Sequence, residues 1–275
     1  MINNINSLEL RIKVLGSRGS MPGEGITFSR YGGFTSCYLV RAGKEEIYLD
    51  AGSGIADAKP AKDTNITLLI THMHLDHLIG LPFFPALTEK NRPIDIYAAP
   101  RAGLTPEKAM DCLIAPPFWP CKIHDYPANV QIHELPTDKD FSFNIGDVNI
   151  RMTEGSHPSG STLFRLEYGG KSLVYATDFE HSVESCKKLA TFATDCDLLI
   201  YDAQYTTEEY EKYKGYGHST PNVGIEVAKL AKVKKILFVH HAPWRTDEQL
   251  AKMESDIFAV YPESTFAKVG EEIIL

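Results

Sequence analysis

The feature that most narrows the folding choices of this chain is a continuous apolar run, Ile66 to Thr71, that leads directly into His72-Met73-His74-Leu75-Asp76-His77. Such a run, with β-branched residues and no polar break, reads as a strand buried on both faces, which places it inside a layered sheet. Beyond it stand three histidines and an aspartate within six positions. Imidazole and carboxylate are the donors that a borderline divalent metal prefers. In extended backbone His72 and His74 point to the same side and suit one ion. A turn into helix would swing Asp76 and His77 toward a neighbouring ion. A surface cluster arising by chance would account for one histidine, but not for four ligand-type side chains at the mouth of a buried strand.

The rest of the chain supplies the layers. ELRIKVL (9–15) alternates apolar and polar before Gly-Ser-Arg-Gly-Ser breaks it, and 36–41 and 46–49 are further strands, the second running into Asp50. Strands at 172–176, 198–201 and 235–239 alternate with helices at 183–192, 221–231 and 247–259. Pro221 fits the first turn of its helix, with Ser219 or Thr220 as cap. Such an order predicts a layered α/β domain. Residues 81–125 differ, with eight prolines between aromatic residues such as Phe83, Phe84, Phe118 and Trp119. They are expected to form a loop insertion in a single domain spanning 1–275, with room for a short helix at 106–113. That loop would either wall the pocket or cap the core.

Composition bounds the partners. The chain of 275 residues is 43% hydrophobic and 23% charged, with a formal net charge of −8. This is a globular composition, and it lacks the basic field that extended nucleic acid demands. Small anions remain open, because a metal brings its own positive charge. The five cysteines (Cys37, Cys112, Cys121, Cys186, Cys196) are odd in number and scattered, which favours a reducing compartment over a disulfide framework. MINNINSLELRIKVLG shows no leader pattern and no segment reaches the length of a membrane span, so a cytoplasmic location is expected. Pairing of two copies stays open.

The run at His72, His74, Asp76 and His77 matches HxHxDH, the signature of the metallo-β-lactamase superfamily, which the chain resembles along most of its length. Leu49-Asp50-Ala51-Gly52-Ser53-Gly54 is similar to the motif that ends the family's upstream strand pair. The resemblance implies a four-layer αβ/βα sandwich with two mixed β-sheets flanked by helices. It also implies a third histidine for the first ion at His157, a bridging aspartate at Asp178 and a last histidine for the second ion at His240. Strand alternation sends His240 and His241 to opposite faces, so one of the two is the ligand; the family pattern points to the first. Taken alone, Asp178 could instead cap a helix. The cofactors implied are two divalent ions, zinc by ligand type, with manganese or iron compatible.

Within the superfamily no cysteine stands where a zinc β-lactamase places its thiolate. The motif also lacks the glutamate usual in flavodiiron oxidoreductases. Leu15–Ser20, Gly32–Cys37, Gly217–Thr220 and Phe238–Pro243 resemble the phosphodiesterase branch that holds ribonuclease Z and the phosphoribosyl cyclic phosphodiesterases, although those relatives often carry aspartate where this chain has Ala242. The branch implies a small phosphodiester, cyclic or open, or a nucleotide as substrate. A hydroxide shared by the ions would attack phosphorus, and His218 would contact the substrate and assist the leaving oxygen; Asp76 and His218 are thus the candidate catalytic residues. Asp50 either orients a ligand imidazole from behind or simply forms the turn. The alternatives are hydrolysis of carboxylic esters, thioesters or lactones, tRNA 3′ processing, and non-catalytic metal binding or sensing. The tRNA-grasping arm of ribonuclease Z lies between the third histidine and the bridging aspartate; here that span reads as two strands joined at Gly169-Gly170.

Overall fold

The computed structural model describes residues 8–62 and 64–275; the opening residues 1–7, part of the segment read for a leader, lie outside them. The first half contains β1 (Leu10–Gly16), β2 (Cys37–Ala42), β3 (Glu45–Leu49), β4 (Asn65–Ile70), α1 (Leu75–Leu78), β5 (Pro93–Ala98), α2 (Pro106–Leu113) and β6 (Asn129–Glu134). The second half contains β7 (Phe141–Ile145), β8 (Val148–Gly155), β9 (Ser161–Tyr168), β10 (Lys171–Ala176), α3 (Val183–Phe192), β11 (Leu198–Asp202), α4 (Thr207–Tyr213), α5 (Pro221–Ala231), β12 (Lys235–Val239), α6 (Asp247–Val260), β13 (Ser264–Phe266) and β14 (Glu272–Ile274). They form two seven-stranded sheets, ordered β14-β1-β2-β3-β4-β5-β6 and β13-β12-β11-β10-β9-β8-β7. Each sheet is mixed. The first turns parallel from β3 onward, and the second is parallel from β13 to β10 and antiparallel from there to β7.

Burial explains the stacking. Alternate residues of β1 (Leu10, Ile12, Val14) meet Phe164, Leu166, Leu173 and Tyr175 of the other sheet in one buried cluster between the layers. The outer face of the first sheet is covered by Leu78, Leu81, Phe84, Leu87, Met110 and Ile114. The outer face of the second is covered by Leu189, Ile225, Ala228 and Leu250, from α3, α5 and α6. Each such side chain removed from water contributes roughly 1.5–3 kcal/mol.

Residues 81–125 are not the loop expected throughout. They contain β5, which pairs in parallel with β4 and β6, and α2 over the expected 106–113. Pro93 is the first residue of β5, a position where a missing N–H is tolerated. Part of this segment covers the first sheet, because Leu81, Phe84, Met110 and Ile114 are buried against it, while Phe83 and Phe118 are exposed. No helix among the described residues is long and apolar enough to cross a membrane, and none of the five cysteines is paired.

Parallel pairing brings the chemistry to one edge. Leu49 sits beside Leu69, Ala176 beside Tyr201, and Asp202 beside Val239. The residues that follow these strands, Asp50, Thr71–His77, Asp178 and His240, therefore emerge at one level. Carboxyl ends of parallel strands are where ligand crevices form in open α/β sheets.

Candidate metal centre

Two sets of donors share one aspartate. His72, His74, His157 and Asp178 bring donor atoms within 4.8 Å of one another, and so do Asp76, His77 and His240. Asp178 faces both sets with different oxygens. Its Oδ1 lies 3.7 Å from His72 Nε2 and 3.9 Å from His157 Nε2, while its Oδ2 lies 3.1 Å from His77 Nε2 and 3.3 Å from His240 Nε2. Asp76 Oδ2 stands 3.3 Å from His77 Nε2 and 3.2 Å from His240 Nε2, and it accepts the Ser20 amide at 2.7 Å. The chain reaches these positions by abrupt turns at strand ends, with Asp50, Asp178 and His240 all in left-handed backbone at φ 60, 51 and 61. The cap of α3 is Ser182, so Asp178 is free of that duty; the cap of α5 is Thr220.

The donor set fits a metal by tautomer as well as by position. His77 Nδ1 donates to Asp50 Oδ2 at 2.8 Å, and His157 Nδ1 donates to the Gly217 carbonyl at 2.9 Å. With Nδ1 so occupied, Nε2 of each ring faces inward and offers its lone pair to an ion once any proton on it is displaced. Thr71 Oγ1 lies 3.0–3.1 Å from both Asp50 oxygens and 3.0 Å from His72 Nδ1. Because a carboxylate only accepts, the hydroxyl donates to Asp50 and accepts from His72, which fixes that imidazole too. His72 Nε2 is buried with no hydrogen-bond partner, as expected of an atom reserved for a cation, and His77 Nε2 faces the Asp178 and Asp76 oxygens at 3.1 and 3.3 Å. His74 Nδ1 and His157 Nε2 lie 3.3 Å apart, close enough for His74 to donate to His157 without an ion or for both nitrogens to serve one ion.

Charge divides the cluster the same way. Burial, reinforced by His77, holds His72 well below the ordinary histidine range, and burial likewise lowers His74 and His157. For His77 burial is outweighed by Asp178, Asp76 and Asp50, which hold it well above that range. The carboxylates of Asp178 and Asp76 overcome burial at His240 too, raising it to about 9. Asp178 and Asp76 are in turn held below the usual carboxylate range, burial being overcome by His240 and His77 in the first and by His77 and His240 in the second. Without an ion, protons on His77 and His240 neutralise part of the carboxylate charge that a metal would take up.

His241 stays outside the cluster: its Nε2 donates to the Ala267 carbonyl at 3.0 Å, with its ring stacked on Phe266 at 5.8 Å. His218 stands at the rim, stacked on His240 at 4.7 Å, with its Nδ1 donating to Asp202 Oδ2 at 2.8 Å. Asp202, fully buried at the end of β11, was not anticipated from sequence. The available signal was the parallel between Ile200-Tyr201-Asp202 and Tyr48-Leu49-Asp50, two buried strands that each end on a carboxylate.

Seven histidine and aspartate donors at the strand ends of a two-sheet sandwich define a metallo-β-lactamase-fold centre for divalent metal. Residues 45–241 match the family model described as beta-lactamase superfamily domain, and the chain belongs to that superfamily, among its metal-dependent hydrolases. A ribonuclease Z of Crocosphaera subtropica is 22% identical over 309 residues, spanning 94% of this chain and 96% of that one. Among solved structures, the metallo-β-lactamase fold protein YhfI of Bacillus subtilis superposes with a TM-score of 0.74 at 20% identity, over 97% of this chain and 99% of that chain. A diphosphatase of the PhnP family superposes with a TM-score of 0.70 at 17% identity, over 96% of this chain and 97% of that chain.

Proposed function

We propose that the chain is a phosphodiesterase working through two divalent ions, zinc by ligand type, on a small phosphodiester. His72, His74 and His157 would hold one ion, Asp76, His77 and His240 the other, and Asp178 would reach both. Two ions so held lower the pKa of water and neutralise charge gathering on phosphorus.

The observation that carries the reading is the His218–Asp202 pair beside this cluster. Asp202 fixes the proton on Nδ1 and turns Nε2 outward; with a second proton on Nε2, the imidazolium paired to Asp202 can hand that proton to a departing alkoxide and return to the neutral ring. Carboxylic-ester and thioester leaving groups need that proton less when they are already weak bases. Asp50 keeps the His72 and His77 lone pairs aimed inward, directly and through Thr71. A small substrate is favoured over a long RNA because the span between His157 and Asp178 is taken up by β9, the Gly169-Gly170 turn and β10, and because the formal charge is −8. A ribonuclease Z name among the relatives and a diphosphatase among the structural neighbours both concern phosphorus centres, which supports the choice of scissile group.

The test is hydrolysis of bis(p-nitrophenyl) phosphate by metal-reconstituted protein, with His218→Ala and a p-nitrophenyl carboxylic ester beside it. Diester cleavage that falls roughly 10²–10⁴-fold in the variant is expected. Ester cleavage without diester cleavage would transfer the site to carboxylic esters or lactones.

A further inference from the structure

The side of the centre beyond His218 is built from aromatic rings in series. Tyr205 meets the His218 ring edge-on at 5.7 Å, and Tyr213 stacks on Tyr205 at 4.8 Å with planes 12° apart. Tyr213 in turn meets Tyr216 at 5.9 Å and Trp244 at 6.0 Å. Exposure rises outward, from 2% at Tyr205 to 65% at Tyr216 and 47% at Trp244. Both outer rings are tethered to the centre through short stretches of chain, because Tyr216 precedes His218 by two residues and Trp244 follows His240 by four.

Polar groups, half-buried at Glu180 and fully buried at Arg18, brace this series. The Glu180 carboxylate accepts from Gly215 N at 2.5 Å and Gly217 N at 2.9 Å, the two left-handed glycines (φ 94 each) that flank Tyr216. A side chain at 217 would also run into His157, whose Nδ1 would lie 2.0 Å from an added Cβ. Arg18, fully buried, donates through Nη1 to the carbonyls of Ala242 (3.0 Å) and Arg245 (2.6 Å), clamping the turn that carries Trp244. Arg245 is paired with Glu209 of α4, the helix that ends at Tyr213. Burying a guanidinium in this way is costly, so the exposed rings it braces are unlike scattered surface aromatics. Rigid aromatic faces left open to water beside a catalytic group are a recognition surface.

We infer that Tyr213, Tyr216 and Trp244 form a stacking subsite for a nucleobase carried on the leaving-group side of the substrate. The inference rests on the phosphodiesterase reading, since His218 marks the leaving side. Open faces suit a flat base, whose stacking is worth about 1–3 kcal/mol and tolerates any base identity. A cation would need an enclosed, desolvated box to gain as much.

The chain has two tryptophans, Trp119 and Trp244, so a Trp119→Phe protein reports on Trp244 alone. Titrating it, metal-reconstituted, with adenosine 5′-monophosphate should quench that fluorescence saturably. Ribose 5-phosphate, which lacks the base, should not, and Tyr216→Ala should weaken binding about 5-fold or more, the equivalent of about 1 kcal/mol. Equal responses to the two phosphates, an unchanged affinity in Tyr216→Ala, or quenching by phosphocholine in place of the nucleotide would each overturn the subsite. Saturable quenching by the nucleotide in a protein that leaves bis(p-nitrophenyl) phosphate intact would uphold the subsite and defeat the phosphodiesterase reading.

Discussion

Replacing Asp50 by asparagine tests the centre from behind without touching a candidate ligand. The Asp50 carboxylate accepts from Thr71 N (2.8 Å), Thr71 Oγ1, Tyr175 OH (2.8 Å) and His77 Nδ1 (2.8 Å). An asparagine oxygen can keep the Thr71 contacts, but its NH₂ must face His77 and Tyr175. The phenol can rotate and accept. The imidazole can accept only by moving its proton to Nε2, the atom aimed at Asp178 and Asp76. Metal binding then strips the ring of its last proton or drives it back to Nδ1 against the amide NH₂, where the parent keeps an Nδ1–H bond to Asp50, and loss of such an orienting partner costs about 10–100-fold in affinity, or about 1.4–2.7 kcal/mol. The fold itself should lose about 1–3 kcal/mol, one imperfectly satisfied buried group. Competition titration of zinc against a chromophoric chelator gives the first number, and urea unfolding of chelated protein the second. An Asp50→Asn protein that binds zinc as tightly as the parent would refute the tautomer argument, however stable it proved.

Two further outcomes follow from the same geometry. His240→Ala should lower bound metal and also destabilise the chelated fold, whereas His241→Ala should keep the metal and lose roughly 2–4 kcal/mol from the cavity it leaves; elemental analysis separates them. In chelated protein His240 is raised from 6.5 to about 9. A raised folded value means the stabilisation is complete below pH 6.5 and fades as pH climbs through 9; at about 1.4 kcal/mol per pH unit it amounts to about 3 kcal/mol. Urea midpoints should therefore fall between pH 7 and 10 after chelation and hold steadier with metal bound, and flat midpoints in the chelated protein would count against the charge balance described.

Much of this arrangement was legible because local pattern and final structure agree. The apolar run of β4, the hairpin at Gly169-Gly170, and the helices α3, α5 and α6 each carry caps, turns or periodicity that do not depend on distant contacts. The candidate ligands were legible because their types are unusual together. β5 was hidden since the prolines in and around it argue against a strand, and only the tertiary fact that Pro93 opens it makes it permissible. β13 and β14, three residues each, are too short to show a period. Asp202 looked like any carboxylate at a strand end until folding placed it against His218. The bracing of Tyr216 by Glu180 joins residues 35 or more positions apart, a relation that single-sequence reading cannot see.

The left-handed turns at Asp50, Asp178 and His240 carry a consequence for how this protein can change. Non-glycine residues held in that conformation cost on the order of 1–3 kcal/mol each, aspartate toward the low end. Glycine would relax the backbone at any of them and delete a donor or its support in the same step. A laboratory lineage propagated for heat resistance alone would therefore drift toward substitutions that erase the centre. Robustness and metal chemistry pull these three positions in opposite directions, and a hardier descendant that still holds its ions must find its gains elsewhere in the chain.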